Sequence, residues 1–305
     1  MSIGRQIIAH LENFTHRTLI LLGFGDLAQR LAKLSEARGK PVFALRRTSV
    51  TSSTKTIVGD ATNTETLRSL FDGESCDIVV TLTPDEYSEI GYRKSYLACA
   101  EALSKTSPEI SPDSRLIFVS STSVYGQNHG EVITEDSETR PRSDTAKVLL
   151  EAEEVVASLD LATCNLRFSG IYGPGRTRLI SSVRDGNIAP PKSVHWTNRI
   201  HADDCAGILD FLLELPGSTF PGCLIGTDNQ SVPKYDVQRY IMTLLGGENS
   251  PSLINETSTE PSASEAEQTG KRCSNILLKK LGYEYCYPTY KEGFSDLIKS
   301  EHQGR

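Results

Sequence analysis

The amino-acid sequence predicts an α/β protein built on a doubly wound parallel sheet, with a smaller α+β cap interleaved with it towards the C-terminus. Apolar runs of strand length alternate with helical apolar patterns over the first two thirds of the 305 residues. Such alternation is typical of βαβ units, in which each helix returns the chain to begin another parallel strand. The last third mixes short strands, helices and polar stretches, which indicates the second unit.

The composition narrows the classes of partner. Hydrophobic residues make up 38% of the chain and charged residues 23%, as in ordinary globular proteins. The net charge of −7 disfavours nucleic acid as a partner, because neutralising phosphates requires a basic surface. No apolar run approaches the length of about 18 residues that a membrane span needs, so we expect no membrane partner. The seven cysteines lack C-x-x-C spacing, which favours reduced thiols in a cytoplasmic protein and no metal site.

The first predicted strand, residues 18–22, runs directly into a glycine turn. Gly23, Gly25 and Ala28 form a G-x-G-x-x-A pattern between this strand and a helical pattern. In that context the pattern is the dinucleotide fingerprint of a Rossmann-type fold, in which the second glycine lets a pyrophosphate approach the backbone. A tight βα turn without a ligand is the alternative. The predicted cofactor contacts from this turn are Gly23, Phe24, Gly25, Asp26 and Leu27.

The end of the second predicted strand, residues 41–47, bears on the choice of cofactor. A carboxylate at this place would hold the ribose 2′-hydroxyl of NAD, but Arg46 and Arg47 stand there instead. Two cations favour the 2′-phosphate of NADP(H), and NAD(H) is the alternative cofactor. The interpretation without a ligand is that both arginines are solvated surface residues. Asp60 ends the third predicted strand, residues 56–60, and has two interpretations: a contact to the adenine amino group, or a cap on the following helix.

Further strands and helices complete the first unit. The fourth strand, residues 76–84, would place Leu82 and Thr83 over the cofactor, since ligands of open α/β sheets bind at the carboxyl ends of the strands. A helix over 90–104 and a fifth strand over 115–126 follow. The remaining predicted elements are a polar loop at 127–142, a helix at 143–158 and a strand at 164–169.

The second half contains weaker signals. We predict a helix over 203–214 capped by Asp203 or Asp204, and a helix over 235–245. Alternating aromatic residues at 283, 285 and 287 predict a strand. Other predictions are a short packing helix within residues 1–17 and a polar surface stretch over 246–270.

The domain organisation follows from this element order. Residues 1–170 are predicted to form the dinucleotide-binding domain, to which the chain returns over about 199–222. Residues 171–198 and 223–305 are predicted to form a small substrate-side cap.

Several motifs in this order resemble the extended short-chain dehydrogenase/reductase family, of the NAD(P)-dependent epimerase/dehydratase type. The resemblance covers nearly the whole chain. Its motifs are Gly23 to Ala28, Gly59-Asp60, the hydroxyl-rich run from Phe118 to Gly126, Leu166-Arg167, Ile171 to Arg176, and Arg199-Ile-His-Ala-Asp-Asp204.

One departure from the family concerns its catalytic Tyr-x-x-x-Lys pair. Lys147 matches the lysine, but Ser143 stands where the family has tyrosine, so the chain resembles atypical members. The resemblance implies that Ser121 polarises the substrate oxygen and that Lys147 binds the nicotinamide ribose. Tyr125 is the nearest other phenol, and its interpretations are a substitute acid or, as favoured here, a packing residue.

The resemblance also implies a function. We expect an NAD(P)-binding oxidoreductase or epimerase-like enzyme acting on a nucleotide-sugar-like or other hydroxyl or carbonyl small molecule. The alternatives are a catalytically inactive NADP(H)-binding sensor and an interaction protein on a degenerate Rossmann fold. Arg176 and Arg199 would clamp a substrate anion or form loop salt bridges. The helices over 90–104 and 143–158 would pair in a homodimer.

Overall fold

The computed structural model describes residues 17–71, 73–188, 194–246 and 268–303. The strands in chain order are β1 (Thr18–Leu22), β2 (Val42–Arg46), β3 (Lys55–Val58), β4 (Cys76–Val80), β5 (Arg115–Ser121), β6 (His129–Ile133), β7 (Ala162–Phe168), β8 (Gly170–Tyr172), β9 (Val194–Thr197), β10 (Arg199–His201), β11 (Cys223–Gly226), β12 (Val232–Pro233) and β13 (Gln268–Cys273).

The α-helices in chain order are α1 (Asp26–Ala37), α2 (Thr64–Arg68), α3 (Glu89–Tyr92), α4 (Ala98–Thr106), α5 (Asp144–Ala157), α6 (Arg178–Arg184), α7 (Ala202–Glu214), α8 (Lys234–Leu244), α9 (Ile276–Leu281) and α10 (Tyr290–Gln303). A π-helical turn, Arg93–Leu97, joins α3 to α4. The predicted helix over 90–104 is therefore present, but in three pieces. None of the helices in the described ranges is long and apolar enough to cross a membrane.

The central sheet has seven strands in the order β11-β7-β5-β4-β1-β2-β3. The pairings of β1 with β2 and β4, of β2 with β3, and of β5 with β4 and β7 are parallel. All five residues of β1 and of β4 are buried, as expected for strands covered by helices on both faces. The predicted doubly wound parallel sheet is confirmed.

The chain divides into two compact units. The first comprises the described residues within 1–125, 139–168 and 205–224, and the second comprises those within 126–138, 169–204 and 225–305. The sequence placed 126–138 in the first unit and began the return to it at about 199 rather than 205. The difference at 126–138 arises because β6 forms within the predicted polar loop and pairs in parallel with β13, more than a hundred residues away.

The second unit is α+β. Its four-stranded sheet has the order β12-β9-β13-β6, and β8 pairs with β10 separately. A hydrophobic cluster unites side chains of β8, α6, α8 and α10. Its buried members are Tyr172, Ile180, Val183, Val237, Ile241, Tyr290, Phe294, Leu297 and Ile298.

Two local predictions in the second half are wrong. The segment 283–287 is not a strand, because backbone amides that a strand would use for pairing donate to the Asp204 carboxylate instead: Cys286 at 2.8 Å and Tyr287 at 2.9 Å. Neither Asp203 nor Asp204 caps α7, which begins at 202, before both; the Asp203 amide instead donates to Nδ1 of His201 (3.2 Å).

Two further predictions fall wholly or mostly on residues that the structure does not describe. The helix predicted within 1–17 lies outside the described residues except for residue 17. Most of the predicted polar stretch over 246–270 also lies outside them, but its end is the start of β13.

Candidate functional site

The glycine turn has the geometry that its sequence predicts. Gly23 has a φ of +97°, and a Cβ built on it would lie 3.0 Å from the Thr81 carbonyl oxygen, so a side chain here would be both strained and crowded. Gly25 directly precedes α1, and a Cβ built on it would meet no atom within 4 Å. The backbone at Gly25 therefore borders open space at the positive end of a helix. Ala28, fully buried, packs α1 closely against the sheet.

A cavity of about 660 Å³ opens at this turn, within the first unit. Its walls come from the carboxyl ends of β1, β2, β3 and β4 and from the π-helical turn. Eight of the predicted cofactor residues line it: Gly23, Phe24, Gly25, Arg46, Arg47, Asp60, Leu82 and Thr83. These residues were predicted from four separate stretches of sequence, and the fold brings them together.

Three predicted cofactor residues do not line this cavity. Leu27 is buried, so its side chain packs in the interior. Asp26, in the first turn of α1, accepts a hydrogen bond from Nε of Arg30 (2.9 Å). Lys147 lies in the first turn of α5.

The two arginines after β2 have different surroundings. Arg46, the last residue of β2, is half-buried and donates from Nη2 to the Thr48 hydroxyl (3.2 Å). Arg47 is exposed and forms a bidentate ion pair with Asp85, with both N–O distances at 2.5 Å. Within the ion pair, the hydrogen bond from Arg47 holds the pKa of Asp85 below its usual range. Arg47 is thus already neutralised by a carboxylate, whereas Arg46 has no carboxylate partner among the described residues.

Asp85 lines the cavity but was not among the sequence-predicted residues. The available signal was its position, since it is a carboxylate in the loop that follows a buried strand, where ligand sites of open α/β sheets lie. Nothing local in the sequence indicates that it faces Arg47.

Asp60 does not cap the helix that follows it. Its Oδ1 accepts hydrogen bonds from the amide and the hydroxyl of Thr62 (2.9 and 2.8 Å), whereas the cap of α2 is Asn63, which accepts from the Thr66 amide (2.8 Å). The capping interpretation is therefore wrong. The contact to adenine stays a prediction, supported by the position of Asp60 in the cavity wall.

Two hydrogen bonds fix the start of the loop after β4 in the cavity wall. The Thr81 hydroxyl donates to the Gly23 carbonyl (3.3 Å), and the Tyr96 hydroxyl donates to the Leu82 carbonyl (3.0 Å). Tyr96 belongs to the π-helical turn, from which Lys94 and Ser95 also line the cavity. π-Helical turns of this kind occur frequently at functional sites.

Ser143, at the position of the missing tyrosine, is the N-cap of α5. Its Oγ accepts a hydrogen bond from the Ala146 amide (3.2 Å) and lies 3.0 Å from the Thr145 hydroxyl. In the same first turn, Nζ of Lys147 donates to the Asp144 carboxylate (2.8 Å), which raises the pKa of Lys147. The residue that replaces tyrosine therefore has a defined structural task at the start of the helix.

The phenol of Tyr125 is buried in an ionic network of the first unit. Tyr125 is 1% exposed, and its oxygen accepts a hydrogen bond from Nη1 of Arg167 (2.6 Å). Arg167 in turn is paired with the buried carboxylate of Glu153, at 3.1 Å from Nε. This geometry favours the packing interpretation of Tyr125. Ser121, at the end of β5, accepts from the Ser123 amide (3.1 Å).

The predicted substrate arginines lie in the second unit. Arg199 is 8% exposed and donates to the Thr197 hydroxyl (2.8 Å), and burial lowers its pKa. Burial also raises the pKa of the nearby Asp228 to about 7. Arg176 is half-buried in a turn in which its amide donates to the Gly173 carbonyl (2.9 Å).

Comparison with known proteins identifies the class and then the family. The fold defines a Rossmann-type α/β protein, and residues 4–221 match the model of the NAD dependent epimerase/dehydratase family. Because this match covers more than half of the 305 residues, the chain belongs to that family.

Two curated sequences resemble part of the chain. Protein YeeZ of Escherichia coli K12 is 31% identical over 175 residues, covering 57% of this chain and 59% of YeeZ. A 3-diazoavenalumate denitrifying reductase of Streptomyces is 27% identical over 49% of this chain and 51% of the reductase. The chain therefore spans little more than half the length of these relatives.

Solved structures show a longer match. A Methylobacillus flagellatus protein described as an NAD-dependent epimerase/dehydratase is 30% identical, with a TM-score of 0.76. The match covers 94% of this chain and 100% of that protein. The similarity thus extends through both units.

Proposed function

We propose that this protein is an NAD(P)-dependent oxidoreductase of the epimerase/dehydratase type that prefers NADP(H). The observation that carries the proposal is Arg46, at the end of β2 in the wall of the cavity beside the glycine turn, which has no carboxylate partner in the part of the chain that the structure describes. A guanidinium there matches a 2′-phosphate, and a carboxylate there would have matched a ribose hydroxyl.

The cavity residues fit a dinucleotide. Gly23 allows the tight turn, and Gly25 leaves the backbone bare at the N-terminus of α1, where a pyrophosphate would be held. Arg46 would bind the 2′-phosphate, Asp60 the adenine, and Leu82 and Thr83 the half of the cofactor nearer the nicotinamide. When bound, the cofactor would supply or accept the hydride.

Two family groups for handling a proton are retained. Ser121 supplies a hydroxyl at the end of β5, and Lys147 supplies an ammonium in the first turn of α5. The Lys147–Asp144 pair is exposed and local, so exchanging Asp144 for a ribose hydroxyl would cost little. Ser143 would not act as the acid, because its oxygen caps α5 and its pKa lies far above that of a phenol.

The substrate we propose is a small molecule with a hydroxyl or carbonyl group, such as a nucleotide sugar. The Streptomyces relative is by name a reductase, which supports hydride transfer as the type of reaction. Arg199 and Arg176 stay proposals for binding a substrate anion.

The experiment that tests the cofactor is a thermal shift series with NAD, NADH, NADP and NADPH at equal concentrations. A ligand that binds only the folded state raises the midpoint of unfolding. We expect a larger rise with NADP(H) than with NAD(H). No rise with any of the four would contradict the proposal.

A second candidate function is an NADP(H)-binding protein without turnover, such as a redox sensor. Ser143 favours it, because the position of the family's acid is used to cap a helix. Absorbance at 340 nm with a panel of carbonyl compounds separates the two. Binding of NADPH without its oxidation, in both wild type and Ser143→Tyr, would favour the sensor.

A homodimer is a further proposal, in which the helical region over 90–104 (most of α3, the π-helical turn and most of α4) and α5 would form the contact. Arg93 links the two helical segments through Glu151 (2.8 Å), and Ile90 at the start of this region is 59% exposed. Light scattering tests it, and a monomer mass at working concentration would contradict it.

A further inference from the structure

The Arg47–Asp85 ion pair spans the wall of the candidate cofactor cavity. Arg47 follows β2, Asp85 lies in the loop after β4, and both line the cavity. The two guanidinium nitrogens face the two carboxylate oxygens at 2.5 Å each. The guanidinium of Arg47 is therefore already bound by the Asp85 carboxylate. It lies at the end of β2, where a 2′-phosphate would bind.

A phosphate is a stronger ligand for this fork than the carboxylate is. Guanidinium binds both groups in the same bidentate geometry, but a phosphate monoester carries about −1.5 to −2 charges near neutral pH. The side chains are 58% exposed for Arg47 and 71% exposed for Asp85. An ion pair this exposed is worth little, so exchanging one anion for another is cheap.

The loop that carries Asp85 is held by hydrogen bonds at its start, near Thr81 and Leu82, and is exposed to solvent from Asp85 to Tyr87. Thr81 and Leu82 are held by hydrogen bonds at the cavity, and Pro84 is buried. Beyond them, Asp85 is exposed and Tyr87 is 81% exposed. The Asp85 carboxylate can therefore leave Arg47 without disturbing the base of the loop.

We infer that Asp85 moderates the preference for NADP(H) by competing with the 2′-phosphate for Arg47: it holds the Arg47 fork in the cofactor-free protein and yields it when NADP(H) binds. NAD(H), which has no such phosphate, leaves the pair intact. The inference rests on the proposed function, to which it adds that the Asp85 carboxylate competes with the 2′-phosphate for Arg47. Removing the Asp85 charge should strengthen the binding of ligands that carry a 2′-phosphate and of no others.

The test is calorimetric titration of the full chain with NADPH, NADH and 2′-AMP. The variant is Asp85→Asn, and Glu86→Gln is its matched control. Glu86 lines the same cavity and loses the same charge, but it accepts its hydrogen bond from Ser88 (2.8 Å) rather than from an arginine. We expect Asp85→Asn to lower the Kd for NADPH and 2′-AMP by about two- to fivefold more than Glu86→Gln does, with NADH equal in both.

Three outcomes would overturn the inference. Equal effects of the two variants would show that only the net charge of the cavity matters. Weaker NADPH binding by Asp85→Asn would show that Asp85 positions Arg47 rather than competing for it. An equal gain for NADH would remove the link to the 2′-phosphate.

Failure of the proposed function gives a different result. In that case the wild type itself would bind neither NADPH nor 2′-AMP. A wild type that prefers NADPH, with indistinguishable variants, would contradict only the role of Asp85. Melting temperatures without ligand confirm that each variant is folded.

Discussion

Two groups of charged residues lie at opposite ends of the same sheet in the first unit, and they differ in burial. At the amino ends of the strands, the Asp77 carboxylate is fully buried and accepts hydrogen bonds from Lys40 (3.1 Å) and from Nε of Arg115 (2.9 Å). At the carboxyl ends, Arg47 and Asp85 form an exposed pair in the wall of the cavity.

The difference shows which charges belong to the fold and which are available to a ligand. The buried residues form a hydrogen-bonded network, since Arg115 also donates to the Leu215 carbonyl at 2.9 Å. Removing Asp77 would take its carboxylate from the buried Arg115 and would leave the buried Lys40 paired only with Glu214, at 3.3 Å, among the described residues. The exposed pair can separate into water at small cost. The amino ends of the sheet therefore stabilise it, while the carboxyl ends can exchange partners.

The largest effect is expected from Asp77→Ala. It removes the buried carboxylate that Lys40 and Arg115 share and leaves Lys40 its weaker ion pair with Glu214 (3.3 Å), which should lower the free energy of unfolding by about 3–5 kcal/mol. Urea denaturation measures it, and Asp85→Ala is the control at the other end of the sheet. If the alanine variant does not fold, Asp77→Asn provides the measurement. Equal stability losses at Asp77 and Asp85 would contradict the comparison.

The second effect concerns ligand binding at the carboxyl ends. Arg46→Asp replaces a cation that would hold the 2′-phosphate by a carboxylate suited to a ribose hydroxyl. A charged hydrogen bond contributes about 1.5–3 kcal/mol, so NADPH affinity should fall roughly tenfold or more while NADH affinity rises. Titration of both cofactors measures it.

The matched control for this variant is Arg68→Asp. It makes the same change of charge on α2, where Arg68 is paired with Glu65 and Glu109 and does not line the cavity. An equal loss of NADPH affinity in both variants would show that Arg46 does not contact the phosphate.

A smaller effect is expected at Ser143. Ser143→Ala removes the cap of α5 and should lower the free energy of unfolding by about 1 kcal/mol, whereas Ser143→Asp keeps a capping oxygen and should cost much less. Urea denaturation of the three proteins tests this. If the alanine and aspartate variants are equally destabilised, capping is not what Ser143 contributes.

The smallest effect is the pH dependence of the exposed pair. Because Arg47 lowers the pKa of Asp85, the contribution of the pair to stability is present above the ordinary carboxyl pKa of about 4 and is lost as the pH falls through the lowered value. The stability difference between wild type and Asp85→Asn should therefore shrink in acid. Melting temperatures between pH 7 and pH 3 measure it, and a difference that grows in acid would have the wrong sign.

Much of the lining of the cavity could be predicted, because its signals are local. The glycine turn, the two arginines after β2 and the residues after β4 each follow an apolar run, and the carboxyl ends of parallel strands meet at one edge of the sheet. The strand at 129–133 and the partner strand at 268–273 were missed. Their pairing joins two polar segments far apart in sequence, so neither shows a strand pattern alone.

The sequence by itself determined the fold class, the family and the edge of the sheet where a dinucleotide would bind. These depend on periodicity and on residue types next to each other, which reflect burial along a single element. The tertiary structure decided which charges are already paired: Arg47 with Asp85, and the Tyr125 phenol with Arg167. Partners so far apart in sequence meet only through the packing of whole elements. That packing gives Arg47 a carboxylate partner in Asp85, whereas Arg46 donates to the Thr48 hydroxyl.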